Sequence, residues 1–264
     1  MATLGSQAVG STVKLNVNGT ARNFIVVNQG LPGSMYDASC DGTWLLMEDL
    51  YESRVWDSSN NDYANSDIHS YLNNTIVNLF DSDIKSAIKQ VKIPYRAGSG
   101  SSTTVTSGSS GLSAKVFLLS YTEVGFSGNS YAPVEGAVLS YFNGAADSKR
   151  VAKLNGTATF WWLRSPSTHY YSYAWRVRPE GSSNRSGDVT YSYGVRPALV
   201  LPYNVNVADD GTIVLATGAI TGSVNIGGVE RELTGEGYIN IGGVLRELSD
   251  SQVNIGGILK SLKG

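Results

Sequence analysis

From Ser167 to Tyr193 the chain reads STHYYSYAWRVRPEGSSNRSGDVTYSY, and its side chains are of kinds that bind rather than react. Tyrosine offers a large rigid face with few rotors to freeze. Ser, Thr and Asn supply adaptable hydrogen bonds, and Arg a planar fork of donors. The stretch holds five tyrosines and no Lys, Gln or Met, which is the composition of a contact surface. The candidate ligand contacts are Ser167, Thr168, His169, Tyr170, Tyr171, Ser172, Tyr173, Arg176, Arg178, Ser182, Ser183, Asn184, Arg185, Ser186, Asp188, Thr190, Tyr191, Ser192 and Tyr193. The tyrosines and arginines are expected to carry most of the affinity, and the small polar residues to tune it.

Reactive chemistry finds less support, and no catalytic residue is assigned. Nothing has the form of a nucleophile elbow, and no Gly-rich loop follows a strand and opens a helix, so neither serine hydrolysis nor nucleotide binding is supported. His69 and His169 lack carboxylate or Cys partners at metal-ligand spacing. Asp57, Asp62 and Asp67 fit no ordered calcium loop and read as a solvated stretch. The lone cysteine, Cys40, can close no disulfide within the chain and reads as a small buried hydrophobe. No metal and no cofactor is expected.

The segment must be positioned by its flanks. Phe160-Trp161-Trp162-Leu163-Arg164-Ser165-Pro166 precedes it and Gly194-Val195-Arg196-Pro197-Ala198-Leu199-Val200-Leu201 follows. Both read as core strands, and Trp161, Trp162, Arg164, Trp175 and Arg196 are assigned to the scaffold. Upstream, residues 1–10 read as a flexible start. Val13, Leu15 and Val17 alternate with polar residues up to an Asn18-Gly19 turn, and Phe24 to Val27 return as the second arm of a hairpin. Residues 43–50 form another buried element. Ile68, Leu72 and Ile76 share a helical face, as do Ile84, Ala87, Ile88 and Val91 in a second helix that Pro94 ends. Residues 96–113 read as a mobile Gly/Ser/Thr loop, residues 115–119 as a strand, and residues 205–215 as a hairpin.

Charged residues make up only 16% of the chain and the net charge is −2, so no nucleic-acid partner is expected. No apolar run is long enough for a membrane-spanning helix, and the first residues have no signal-peptide pattern. Beyond residue 216 the sequence changes character. Val224-Asn225-Ile226-Gly227-Gly228-Val229 recurs as Ile239-Asn240-Ile241-Gly242-Gly243-Val244 and as Val253-Asn254-Ile255-Gly256-Gly257-Ile258. Each unit reads as strand, Gly-Gly turn, strand, too small to bury its own apolar face. The expected organisation is a flexible start (1–10), a ligand-binding domain (11–216) and a β-repeat region (217–264).

The Trp-Trp-Leu-Arg-Ser-Pro and Gly-Val-Arg-Pro-Ala-Leu pair resembles the C-type-lectin-like domains of bacterial and phage proteins. Gly42-Thr43-Trp44-Leu45-Leu46, Ile68-His69-Ser70-Tyr71-Leu72-Asn73 and Ile88-Lys89-Gln90-Val91-Lys92-Ile93-Pro94 look similar too. Many such domains are variable proteins of diversity-generating retroelements, in which randomised template adenines are copied into the gene. The resemblance implies an α+β, C-type-lectin-like fold with two short helices and small antiparallel sheets. It also implies that Ser167–Tyr173 and Ser182–Ser186 contain only residue types that such codons yield, whereas Trp175 and Glu180 are fixed. Its variable segment commonly lies nearer the C-terminus than here. The function it implies is a phage or prophage receptor-binding protein at the virion surface, with a bacterial surface protein or glycan as ligand. The repeats would then contact other virion proteins or build a homotrimer. A bacterial surface adhesin and a non-variable decoration protein are the alternatives. A formylglycine-generating oxidase, of the same broad fold, would need cysteines that a lone Cys40 does not supply.

Overall fold

Val13, Leu15 and Val17 alternate with Lys14 and Asn16, and in the computed structural model they point inward from strand β1 (Thr12–Val17). Asn18 and Gly19 turn the chain with positive φ of 52° and 70°, the pairing a tight hairpin requires. Strand β2 (Thr20–Gln29) then returns with Val13 opposite Phe24. The structure describes residues 2–98 and 103–215, and the backbone of six strands between residues 222 and 261.

Strand β3 (Thr43–Met47) is buried at all five positions, as a central strand must be. Its partners are β2 and β10 (Ala198–Leu201), and β5 (Val116–Phe117) completes a sheet ordered β5-β10-β3-β2-β1. A second five-stranded sheet is ordered β8-β7-β6-β9-β4. It comprises β4 (Glu52–Val55), β6 (Trp161–Pro166), β7 (Tyr173–Val177), β8 (Ser183–Asp188) and β9 (Ser192–Val195). Trp44, Leu46, Phe117 and Val200 of the first sheet share one core with Trp161, Leu163, Trp175 and Val177 of the second. Among the described residues the remainder is short two- and three-stranded ladders, two α-helices, single 3-10 turns and much loop, a mixed α+β architecture.

Helix α1 (Asp67–Asn74) starts where Ser66 Oγ accepts the His69 N–H at 3.2 Å, and it buries Ile68 and Leu72. Ile76, expected on the same helix, lies in a 3-10 turn (Ile76–Leu79) and is buried there. Helix α2 (Ser82–Ala87) is shorter than its periodicity suggests. Ile88 turns extended, and Val91–Ile93 pair with Leu112–Ala114 instead. A helical pattern puts 84, 88 and 91 on one face, whereas a strand puts 91 and 93 on one face, and the β-branched Val91 and Ile93 are buried in a ladder gained by leaving the helix. Pro94 thus follows a strand, not a helix.

Other expectations are also corrected. Residues 2–10 are tied down: Ala2–Thr3 pair with Asn206–Val207, and Leu4 is fully buried. In the supposed mobile loop, Tyr95–Arg96 pair with Val105–Thr106 and Arg96 is fully buried; residues 99–102 lie outside the described residues. The 115–119 strand shrinks to Val116–Phe117, although Leu118 and Leu119 stay buried. The run from Val195 to Leu201 is two strands in two sheets, parted at Arg196-Pro197, where proline cannot donate to a ladder.

Met1–Val214 form one unit and Leu215–Gly264 another. In the second, each repeat is a two-stranded hairpin, with Ile226 opposite Val229, Ile241 opposite Val244 and Ile255 opposite Ile258. Among the described residues no helix is long and apolar enough to cross a membrane.

Candidate ligand-binding surface

The tyrosine-rich segment leaves from strand β6, which is held from beneath by charge. Arg164 is fully buried and grips Glu123 with both nitrogens, Nη1 to Oε2 at 2.5 Å and Nη2 to Oε1 at 2.7 Å. Its Nε also donates to Pro94 O at 3.1 Å and lies 3.4 Å from Glu135. Arg96 faces the same Glu135 at 3.4 Å, with both side chains buried. Two arginines and two glutamates thus neutralise one another inside the protein, the condition for holding charge out of water. Tyr36 donates its hydroxyl to Glu123 at 2.8 Å, and burial, then the nearby carboxylate, pushes its pKa well up.

The other scaffold assignments also sit in the frame. Trp161 and Trp162 are fully buried, and their indole N–H groups donate to Arg150 O and Arg54 O, each at 2.9 Å. Trp175 packs on Tyr121 with ring centroids 4.3 Å apart. Arg196 collects carbonyls, with Nε on Met47 O at 2.9 Å and Nη2 on Glu48 O at 2.8 Å. Burial pulls its pKa down to about 10. Gly194 has no room for a side chain: a Cβ would stand 2.3 Å from Leu50 Cδ1.

After β6 the chain makes a loop over residues 167–172, and one residue from far upstream fastens it. Asn61, itself fully buried, directs Nδ2 at the carbonyl oxygens of Ser167, Tyr170 and Tyr173 at 3.1, 2.9 and 2.8 Å. Its backbone N–H takes a fourth, Tyr171 O, at 2.8 Å. Asn61 is placed by the turn that Asp57 closes. The Asp57 carboxylate accepts the N–H groups of Ser59, Asn60 and Asp67 at 2.8, 3.0 and 3.1 Å. Burial alone would raise the Asp57 pKa, but these donors together hold it below the usual carboxylate value. Asp57 is therefore a buried structural residue, not part of a solvated stretch. Among the described residues no group of three or more His, Cys, Asp or Glu is placed to hold a metal. Cys40 is buried, donates to Lys92 O at 3.2 Å, and has its pKa pushed up by burial to about 11.

The candidate contacts separate into three groups. Tyr170, Tyr171 and Tyr191 stand out, 46%, 65% and 59% exposed. His169, Thr190 and Ser192 are exposed beside them, and Ser172, Tyr173, Asp188 and Tyr193 are half-buried. These gather because Val189 N–H bonds to Ser172 O and Tyr173 lies opposite Asp188. Arg178, Ser182 and Ser183 sit at the far end of the β7–β8 hairpin, where Val177 lies opposite Ser183. At a rise of about 3.3 Å per residue, five residues put them roughly 16 Å from the Tyr173 end. Ser167, Thr168 and Arg176 are buried. Thr168 Oγ1 donates to Ser130 O at 2.6 Å, so Ser167 and Thr168 are supports rather than contacts. Asn184 is half-buried on β8, and the side chains of Arg185 and Ser186 lie outside the described residues.

A family model described as Domain of unknown function (DUF6273) matches residues 41–203. The chain belongs to that family. The DUF6273 match takes in both helices, all of the second sheet and every candidate contact. No curated protein and no solved structure matches the chain. Sequence reasoning missed Arg96, Glu123, Glu135 and Asn61, which build the DUF6273 frame. Arg96 and Asn61 sat in stretches rich in Gly, Ser and Asn, where a solvated side chain is the usual expectation.

Proposed function

We propose that this chain presents a variable ligand-binding surface on a C-type-lectin-like scaffold, as a receptor-binding protein of a phage or prophage particle. One observation carries the reading: within residues 167–193 the aliphatic side chains and Trp175 pack into the frame, while the exposed large hydrophobics are tyrosines. Trp175, Ala174, Val177 and Val189 face inward, while Tyr170, Tyr171, Tyr191 and Ser192 face solvent. Exposed tyrosines clustered on loops held by a rigid sheet are what a recognition surface needs and a solvated loop does not. The Asn61 contacts support the same reading. They bind main-chain carbonyls, which every residue possesses, so side chains at 169–172 can change without loss of the attachment. The repeats of 217–264 would attach the domain to the particle or to two further copies, so that several weak sites act together.

Sequencing this gene and its flanking DNA across a native population tests the reading. The expected result is substitution concentrated at Tyr170, Tyr171, Tyr191 and Ser192, with Trp175 and Glu180 unchanged and an adenine-rich template copy nearby. A uniform segment with no template copy would leave a fixed adhesin or a decoration protein.

A further inference from the structure

Thr168 and His169 are adjacent in sequence and opposite in exposure: Thr168 is only 3% exposed, whereas His169 stands at the surface. Both lean on a turn that lies outside the tyrosine-rich stretch. In that turn Asn129 N–H donates to Ala132 O at 2.9 Å, and Asn129 Oδ1 accepts the N–H groups of Tyr131 and Ala132 at 2.9 and 3.1 Å. Thr168 fastens the surface loop to it twice. Its N–H donates to Tyr131 O at 3.2 Å, and its hydroxyl to Ser130 O at 2.6 Å. The Tyr131 ring lies against the His169 ring, with centroids 4.2 Å apart.

The single hydrogen of the Thr168 hydroxyl decides the chemistry of its neighbour. Oγ1 is within 2.6 Å of Ser130 O and 2.8 Å of His169 Nδ1. A carbonyl only accepts, so the hydroxyl hydrogen must point at Ser130. Oγ1 then has only lone pairs to turn towards the ring, and Nδ1 must bring the hydrogen of that second bond. A bare Nδ1 would set lone pair against lone pair, which the buried hydroxyl can relieve only by abandoning Ser130. A neutral imidazole carries one N–H, so Nε2 is left as the acceptor. Thr168 and Tyr131 together fix the edge and the plane of the ring, and Nε2 lies across the ring from the Thr168 contact.

We propose that Thr168 is a positioning residue that holds neutral His169 as a hydrogen-bond acceptor, so that the surface takes a ligand O–H or N–H at His169 Nε2 and disfavours an acceptor there. This rests on the binding-surface reading above and names the chemistry at one of its points. The two positions act as a unit: a buried residue that the ligand never touches sets what its neighbour offers. A copy with His169 but no hydroxyl at 168 would display a ring able to take either tautomer.

The test is NMR of the full chain with isotope-labelled histidine, read at the ring nitrogens. There is one other histidine, His69, and His169→Gln identifies the signals of position 169. In the neutral ring Nε2 should resonate as a bare imidazole nitrogen and Nδ1 as a protonated one, a result that needs no other variant. Thr168→Ser should keep this pattern. Thr168→Val, close in shape but without the hydroxyl, should draw the two nitrogens together, whereas a merely structural role for Thr168 would leave them unmoved. Phenol and anisole then probe the acceptor, since both carry a ring that exposed tyrosines can stack and only phenol has an O–H. Phenol should move Nε2 saturably towards the protonated range, and anisole should not. Nε2 carrying the hydrogen in the parent chain, or a pattern unchanged in Thr168→Val, overturns the proposal. So does an equal response to phenol and anisole, or none to either. The population sequencing depends on neither nitrogen. Variation at the exposed tyrosines together with a bare Nδ1 would leave the surface standing and remove only this assignment.

Discussion

Arg164 and Asn61 hold the surface in different currencies, charge and hydrogen bonds, and they should fail differently. Arg164→Met strands Glu123 without its partner inside the protein, and should cost about 3–5 kcal/mol in urea unfolding. Arg164→Met combined with Glu123→Leu leaves the Arg96–Glu135 pair neutral, and should recover much of that loss. If the double variant is no more stable than the single, the pair is not the unit described here. Asn61→Ala exposes no charge but releases three carbonyls, and should cost about 1–3 kcal/mol while the amides of Tyr170 and Tyr171 exchange faster. The tryptophans and Arg164 of the frame were legible because they sit inside an apolar run. Asn61 was not: its three carbonyl partners lie 106, 109 and 112 positions away, and nothing local marks it. Arg176 is expected as a contact by type, yet it is buried against the Phe160 and Tyr193 rings. That placement depends on strand register, which residue type does not convey.

At the scale of elements, hairpins were legible where turn chemistry is local, and helices only where they begin. Asn18-Gly19 and the Ser66 cap each act within four residues. The end of α2 is decided instead by a partner strand more than 20 positions away, with Val91 opposite Ala114. Two turn glycines separate local demand from tertiary demand. Gly19 has φ of +70° and nothing within 4 Å of an added Cβ, so Gly19→Ala should cost only the backbone strain, about 1 kcal/mol. Gly181 has φ of +94° at the tip between β7 and β8, and an added Cβ would stand 1.9 Å from Asp147 O. Gly181→Ala should therefore cost more than about 3 kcal/mol in the same unfolding measurement, since the tip must pull away from its neighbour. Similar costs for the two would show that the tip does not pack as described.

For the molecule as a whole, acid should loosen the frame in two stages. Burial lowers the His69 pKa from its ordinary 6.5, so the unfolded chain protonates first and stability starts to fall as pH drops through that value. The Asp57 pKa is held below its ordinary 3.8, so its contribution is present above that pH and is lost as pH falls further. A urea midpoint followed from pH 7 to pH 3 should show both declines, and His69→Gln should remove the first. The division of the chain into a large unit and three repeated hairpins was visible in the sequence, because a repeat is information at a fixed spacing. The sharing of one core by two sheets was not, because it joins β3 to strands more than 100 residues later. The placement of the aromatic residues also has an optical consequence. All five tryptophans are buried, none more than 5% exposed, while the most exposed large aromatics described are tyrosines. Emission excited at 295 nm, beyond tyrosine absorption, should be blue-shifted and resist acrylamide quenching; it then reports the integrity of the frame. Excitation at 275 nm adds energy transferred from the surface tyrosines. The ratio of the two gives a label-free signal of occupancy that stays distinct from unfolding.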